Sequence, residues 1–115
     1  MSPVLTAVIV LAVVVGLFRL LKGGRVSQTV VKEKIAAGAS IVDVRTPEEF
    51  RQGAYPGAVN IPLQVLRQRM GEIDRSRPVV VYCASGGRSA VAAQVLAAAG
   101  YADVSNAGGL KDMPQ

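Results

Sequence analysis

The chain has no histidine and no tryptophan, and Cys83 is the one cysteine among its 115 residues. Each absence excludes chemistry. Without histidine there is no Cys–His dyad, no Ser–His–Asp triad and no imidazole metal ligand. A lone cysteine forms neither an intramolecular disulfide nor a cysteine-based metal cluster, so no metal and no cofactor is expected. Two Phe and three Tyr leave little to stack nucleic-acid bases. The net charge of +5 is concentrated at one end, because residues 1–25 hold three cations and no acid. The remaining ten cations and eight acids nearly balance, and no nucleic-acid partner is expected. Any nucleophile here must be activated without a histidine base.

Charge is also missing from Val4 to Phe18, "VLTAVIVLAVVVGLF". Residues 3–21 would reach roughly 28 Å as a helix, close to a hydrocarbon core of ~30 Å. A cleaved signal peptide wants a positive start and a small-residue cleavage site. This stretch begins "MSP" and continues into "RLLKGGR", so an uncleaved membrane anchor is favoured over a signal peptide or a buried core helix. Arg19, Lys22 and Arg25 follow the run and no Lys or Arg precedes it. The positive-inside rule then places the remainder on the cytoplasmic side of a cell membrane, as a single-pass protein. The expected organisation is an anchor and juxtamembrane linker over 1–25 and one small domain over 26–115.

Helix and strand signals alternate through that domain. "SQTVVKEKIAAG" reads as a helix capped by Ser27, with Val30, Val31 and Ile35 near one face and Gly38 at its end. "SIVDV" reads as a buried strand. Thr46 with Glu49 makes a capping-box pattern, Pro47 suits the first helical position, and the short helix should end near Gly53. "AVNIPL" is a strand stopped by Pro62, and "LQVLRQRMGEI" an amphipathic helix with Leu63, Leu66 and Met70 on one face. "PVVVYC" is the most strand-like segment and is expected at the centre of the sheet. An Ala-rich helix starts near Ser89 and closes at Gly100, "ADVSN" is the last strand, and "AGGLKDMPQ" a terminal loop. The order predicts a small α/β domain, a parallel sheet with helices on both faces.

Ligands of such sheets bind beyond the carboxyl ends of the strands. Cys83 stands at such an end, followed by Ala84, Ser85, Gly86, Gly87, Arg88 and Ser89. Consecutive glycines let the backbone curl so that N–H groups converge as a nest. A helix N-terminus adds partial positive charge and Arg88 adds a full one. All three favour a thiolate over a thiol. The bland reading is a buried cysteine at a strand end, but it does not explain the glycines, the arginine and the helix start gathered beside it.

Four ordered motifs resemble the rhodanese-like domain family: "IVDVRTPEEF" (41–50), "GAYPGAVNIP" (53–62), "VVYCASGGRS" (80–89) and "NAGGLKDM" (106–113). The resemblance implies a three-layer rhodanese-like domain and a sulfurtransferase. Cys83 would take a sulfane sulfur from a donor such as thiosulfate, become a persulfide, and yield the sulfur to cyanide or a thiol. The acceptor thiol would be a small molecule or another protein's cysteine. Loop N–H groups from Ala84 to Arg88 would hold the anionic sulfur, Arg88 would bind the donor's oxyanion, and Ser89 would cap the helix or donate its hydroxyl.

Two other functions compete. One is a non-catalytic, membrane-tethered persulfide carrier or docking module. The other is a phosphatase or arsenate reductase-like enzyme, whose signature has five residues between Cys and Arg where this chain has four, 84–87. The sequence departs from the family at Ala54, where a histidine is usual, at Tyr55, usually aliphatic, and at Met113, often aromatic. It stops soon after, so a C-terminal family helix is expected to be missing or very short. Asp43 and Arg45 flank the end of the strand beside Cys83. They either add positive potential there or pair with each other and nearby loops, and pairing is favoured. Glu48 and Glu49 read as helix N-terminal charges. Arg67, Arg69, Arg75 and Arg77 are expected to face solvent or anionic lipid.

Overall fold

Four strands line up in parallel in the computed structural model, which describes residues 2–4, 6–10 and 24–115. They are β1 (Ser40–Asp43), β2 (Val59–Asn60), β3 (Val79–Cys83) and β4 (Val104–Gly109), in the order β2-β1-β3-β4. As the uncharged run predicts, β3 is central and buried along its whole length. Its alternate residues face opposite ways. Val79, Val81 and Cys83 join Val42, Val44, Ile61, Leu66, Ala92 and Leu96 in one core. Val80 and Tyr82 join Val31, Ile41, Ala107 and Met113 in the other.

The first core is covered by α4 (Gly87–Ala98) and by the segment 63–73. The second is covered by α1 (Gln28–Ala36) and the C-terminal turn. Helical cover on both faces is the arrangement expected from the alternation of signals. Ser27 caps α1 by accepting the Val30 N–H at 3.3 Å. At α2 (Pro47–Gln52) the Thr46 capping box forms with Glu49, and Gly53 closes the helix at φ +150°.

Two expectations fail locally. The segment after Pro62 is not one amphipathic helix. It is a 3₁₀ turn (Leu63–Val65), a single α turn (α3, Leu66–Arg69) and a second 3₁₀ turn (Met70–Glu72). The Met70 carbonyl accepts the Ile73 N–H at 2.9 Å and the Tyr101 hydroxyl at 2.5 Å. That pattern closes the turn where a longer helix would continue, and Gly71 adds little helical preference of its own. The last strand also runs further than "ADVSN". It reaches Gly109, so the segment 107–109 expected as loop is strand, and a 3₁₀ turn (Leu110–Asp112) follows.

Residues 3–4 and 6–10 are helical and largely exposed, Val4, Val8, Ile9 and Val10 among them. Of the membrane span expected over 3–21, residues 5 and 11–21 lie outside the described residues. Among the described residues no helix is long and apolar enough to cross a membrane. Arg25 bridges to Asn106 of β4 and pairs with Asp112 at 3.0 Å.

Candidate active site

β3 delivers Cys83 to the carboxyl edge of the sheet, where its Cα is in register with Gly109. The residue is 1% exposed, while Ala84, Ser85 and Gly87 above it are exposed. The chain then reverses through Gly86, whose φ of +103° a side chain would strain. A Cβ there would also sit 3.3 Å from the Gly108 Cα. This turn points the Gly86 N–H at the sulfur, to which it donates at 2.9 Å.

The helix after the loop begins at Gly87, two residues earlier than expected, with Gly86 at the cap position. Ser89 is therefore not the cap. It lies inside the first turn, fully buried, and its Oγ is 3.3 Å from Cys83 Sγ. The same hydroxyl is 2.6 Å from Asn106 Oδ1, 3.1 Å from the Gly86 carbonyl and 3.3 Å from the Gly108 carbonyl. Asn106 Oδ1 also accepts the Gly108 N–H at 2.9 Å. Sequence reasoning does not single out Asn106 as a site residue. Its one signal is a polar side chain in a strand just before a Gly–Gly pair.

Burial pushes the Cys83 thiol up, as it does any acid whose charged form is an anion. The Ser89 hydroxyl and the N–H groups of Ser89, Ser85 and Gly86 act against burial and outweigh it, so the thiol ionises more readily than a free cysteine. Of the loop N–H groups, Gly86 donates to the sulfur directly, and those of Ser85 and Ser89 help to lower the thiol.

Arg88 lies in the first turn of α4 and reaches across to α2. Its Nη1 and Nη2 donate to Glu49 Oε1 and Oε2 at 2.7 and 3.1 Å. The thiolate of Cys83 helps hold the Arg88 charge, which places the guanidinium within electrostatic reach of the sulfur, after the larger influence of Glu49. Glu49 is more than a helix N-terminal charge. Its Oε1 also accepts the Thr46 N–H at 3.2 Å and the Thr46 hydroxyl at 3.1 Å. Arg88, followed by the Thr46 N–H, holds the Glu49 carboxyl down at about 2.

Asp43 and Arg45 pair with each other, as favoured. Arg45 Nη2 donates to Asp43 Oδ2 at 2.7 Å and to the Gly53 carbonyl at 2.7 Å, with both side chains buried. Asn60 Nδ2 donates to the carbonyls of both residues. The pair braces the end of α2 against the sheet. Nearby, the Tyr82 hydroxyl accepts the Tyr55 N–H at 3.0 Å. Ala54 and Tyr55 line a cavity of about 530 Å³ with Ile35, Ile41, Leu110 and Met113, on the face of the sheet opposite Cys83.

Comparison with known proteins bears on this arrangement. The rhodanese-like domain matches residues 27–113. The thiosulfate sulfurtransferase PspE of Escherichia coli (strain K12) is 43% identical over 74 residues, covering 63% of this chain and 71% of that one. A sulfurtransferase of Allochromatium vinosum is 46% identical over 66 residues, covering 57% of this chain and 62% of that one. A solved structure of a rhodanese with anions from E. coli superposes with a TM-score of 0.63 at 42% identity, covering 67% of this chain and 95% of that one.

Proposed function

The chain belongs to the rhodanese-like domain family and is a rhodanese-type sulfurtransferase, and we propose that it moves a sulfane sulfur from a donor such as thiosulfate to cyanide or a thiol through a persulfide on Cys83. The observation that carries this reading is the Gly86 N–H at 2.9 Å from Cys83 Sγ, in a setting that favours the thiol's ionisation.

In the first half-reaction the Cys83 thiolate attacks the outer sulfur of thiosulfate. The S–S bond of the donor breaks, sulfite leaves with the electron pair, and the anionic persulfide remains on Cys83. In the second, a thiolate or cyanide attacks that outer sulfur. A new persulfide or thiocyanate departs, and the Cys83 thiolate returns. Negative charge stays at the loop throughout. The N–H groups of Ser85, Gly86 and Ser89 and the Ser89 hydroxyl are the donors suited to hold it, with the start of α4 at Gly87 adding positive potential. Arg88 meets the donor's anionic end. Four residues between Cys83 and Arg88 leave room for a sulfur atom more readily than for a tetrahedral phosphate.

Thiocyanate release from thiosulfate and cyanide tests this reading. The full chain should turn over and Cys83→Ser should not. A carrier that loads sulfur but needs a partner to unload it would form the persulfide without turnover.

The sequence also supports a membrane tether over residues 3–21, with the domain on the cytoplasmic side and any protein acceptor drawn from there. A thiol reagent that cannot cross membranes should then leave Cys83 unlabelled in intact cells and label it after permeabilisation.

A further inference from the structure

The cation best placed to receive a donor is already occupied. Both terminal nitrogens of Arg88 donate to the two oxygens of Glu49, the bidentate geometry that a sulfonate or phosphate would otherwise take. The carboxylate is held in place independently of Arg88, because Thr46 binds Glu49 Oε1 through both its N–H and its hydroxyl. Glu49 therefore faces Arg88 whether or not a donor is present. Each side chain of the pair is about one third exposed, so an incoming anion can reach it.

We propose that Glu49 is a specificity-determining residue. It competes with the donor for the Arg88 fork and so disfavours dianionic donors relative to donors of lower charge. This rests on the sulfur-transfer reading and refines its donor class. A thiosulfate dianion must either displace Glu49 or lie beside an uncompensated carboxylate, and repulsion grows with its charge. A monoanionic thiosulfonate or an alkyl persulfide needs less from Arg88 and is repelled less. The substrate class best matched to this mouth is thus a sulfane sulfur on a singly charged carrier. Transfer from methanethiosulfonate balances as it does from thiosulfate. The Cys83 thiolate takes the outer sulfur, the S–S bond breaks, and methanesulfinate leaves with the electron pair.

Glu49→Gln tests this in the full chain. Glutamine keeps an oxygen to accept from Thr46, so the start of α2 is preserved while the charge is lost. KM for thiosulfate should fall about three- to fivefold, the scale of a partly exposed ion pair. KM for methanethiosulfonate should fall about half as much on a logarithmic scale, since its charge is half. Inert sulfate, followed by NMR shifts of the loop amides, should bind the variant more tightly by a similar factor. Glu49→Asp, which keeps the charge but shortens the reach, should lie between the two and serves if the glutamine variant does not fold. Equal KM ratios and equal sulfate affinity in the wild type and the variants would overturn the proposal. The sulfate titration needs no turnover. An inactive wild type with tighter sulfate binding in Glu49→Gln would thus fault the sulfur-transfer reading and keep the competition, while an active wild type with unchanged binding would do the reverse.

Discussion

The Ser89 hydroxyl stands 3.3 Å from the Cys83 sulfur and 2.6 Å from Asn106 Oδ1, with one proton to give. While the sulfur is a thiol, the hydroxyl proton suits Asn106. Once the sulfur is charged, a charge-assisted hydrogen bond to it is the stronger choice. Asn106 Oδ1 keeps the Gly108 N–H in either case. Rotating one buried hydroxyl thus stabilises the anion without moving the backbone.

Ser89→Ala should therefore make Cys83 harder to ionise. Its alkylation rate, followed against pH, should reach half-maximum at higher pH than in the wild type. At neutral pH the rate should drop by roughly tenfold, the scale of one hydrogen bond to a charged group. An unchanged profile would remove Ser89 from the account.

Gly109 touches the loop from β4, the strand paired beside β3. A Cβ there would collide with the Ala84 carbonyl, which is backbone and cannot swing aside. Gly109 has φ −91°, so the cost of Gly109→Ala is steric and not conformational. The variant should lose about 1–3 kcal/mol in urea unfolding. Because the shift falls on the residue next to Cys83, thiol reactivity should fall as well. A destabilised variant with wild-type alkylation would separate the loop from this contact.

How much of this was legible beforehand varies with the distance over which each contact is made. The β3 strand, the nest glycines and the Thr46–Glu49 capping box are local in sequence, and composition and spacing found them. Of the two roles expected for Ser89, the hydroxyl at the sulfur holds and the cap does not, because Gly86 in a left-handed conformation takes the cap position and leaves Ser89 buried in the first turn. The break near Met70 depends on the hydroxyl of Tyr101, 31 residues away. Asn106 and the Glu49–Arg88 fork, closed across 39 residues, appear only once β4 and α2 are packed beside the loop. Of the two readings of Asp43 and Arg45, short spacing already favoured pairing, and the pair forms.

That pair sets a stability prediction. Asp43 is fully buried with its charge taken by Arg45, so Asp43→Ala leaves a buried guanidinium without a counter-charge. Unfolding in urea should become easier by about 3–5 kcal/mol. Replacing both residues with apolar ones should recover part of the loss. A single variant as stable as the wild type would contradict the bracing role given to the pair.

Glu49 offers a pH signature. Its folded value lies at about 2, below the ordinary 4.5. A lowered carboxyl adds stability that is fully present above about 4.5 and is lost as pH falls towards about 2. The stability excess of wild type over Glu49→Gln should therefore be constant near neutral pH and shrink across that window. A difference that is flat from pH 7 to pH 2 would mean the ion pair does not form in solution.

Mass spectrometry of the intact protein after thiosulfate treatment addresses the central claim most directly. The account predicts one added sulfur atom, located on Cys83, removed by cyanide and absent from Cys83→Ser. Full thiocyanate turnover by Cys83→Ser, or a wild type that takes up no sulfur on Cys83, would contradict it.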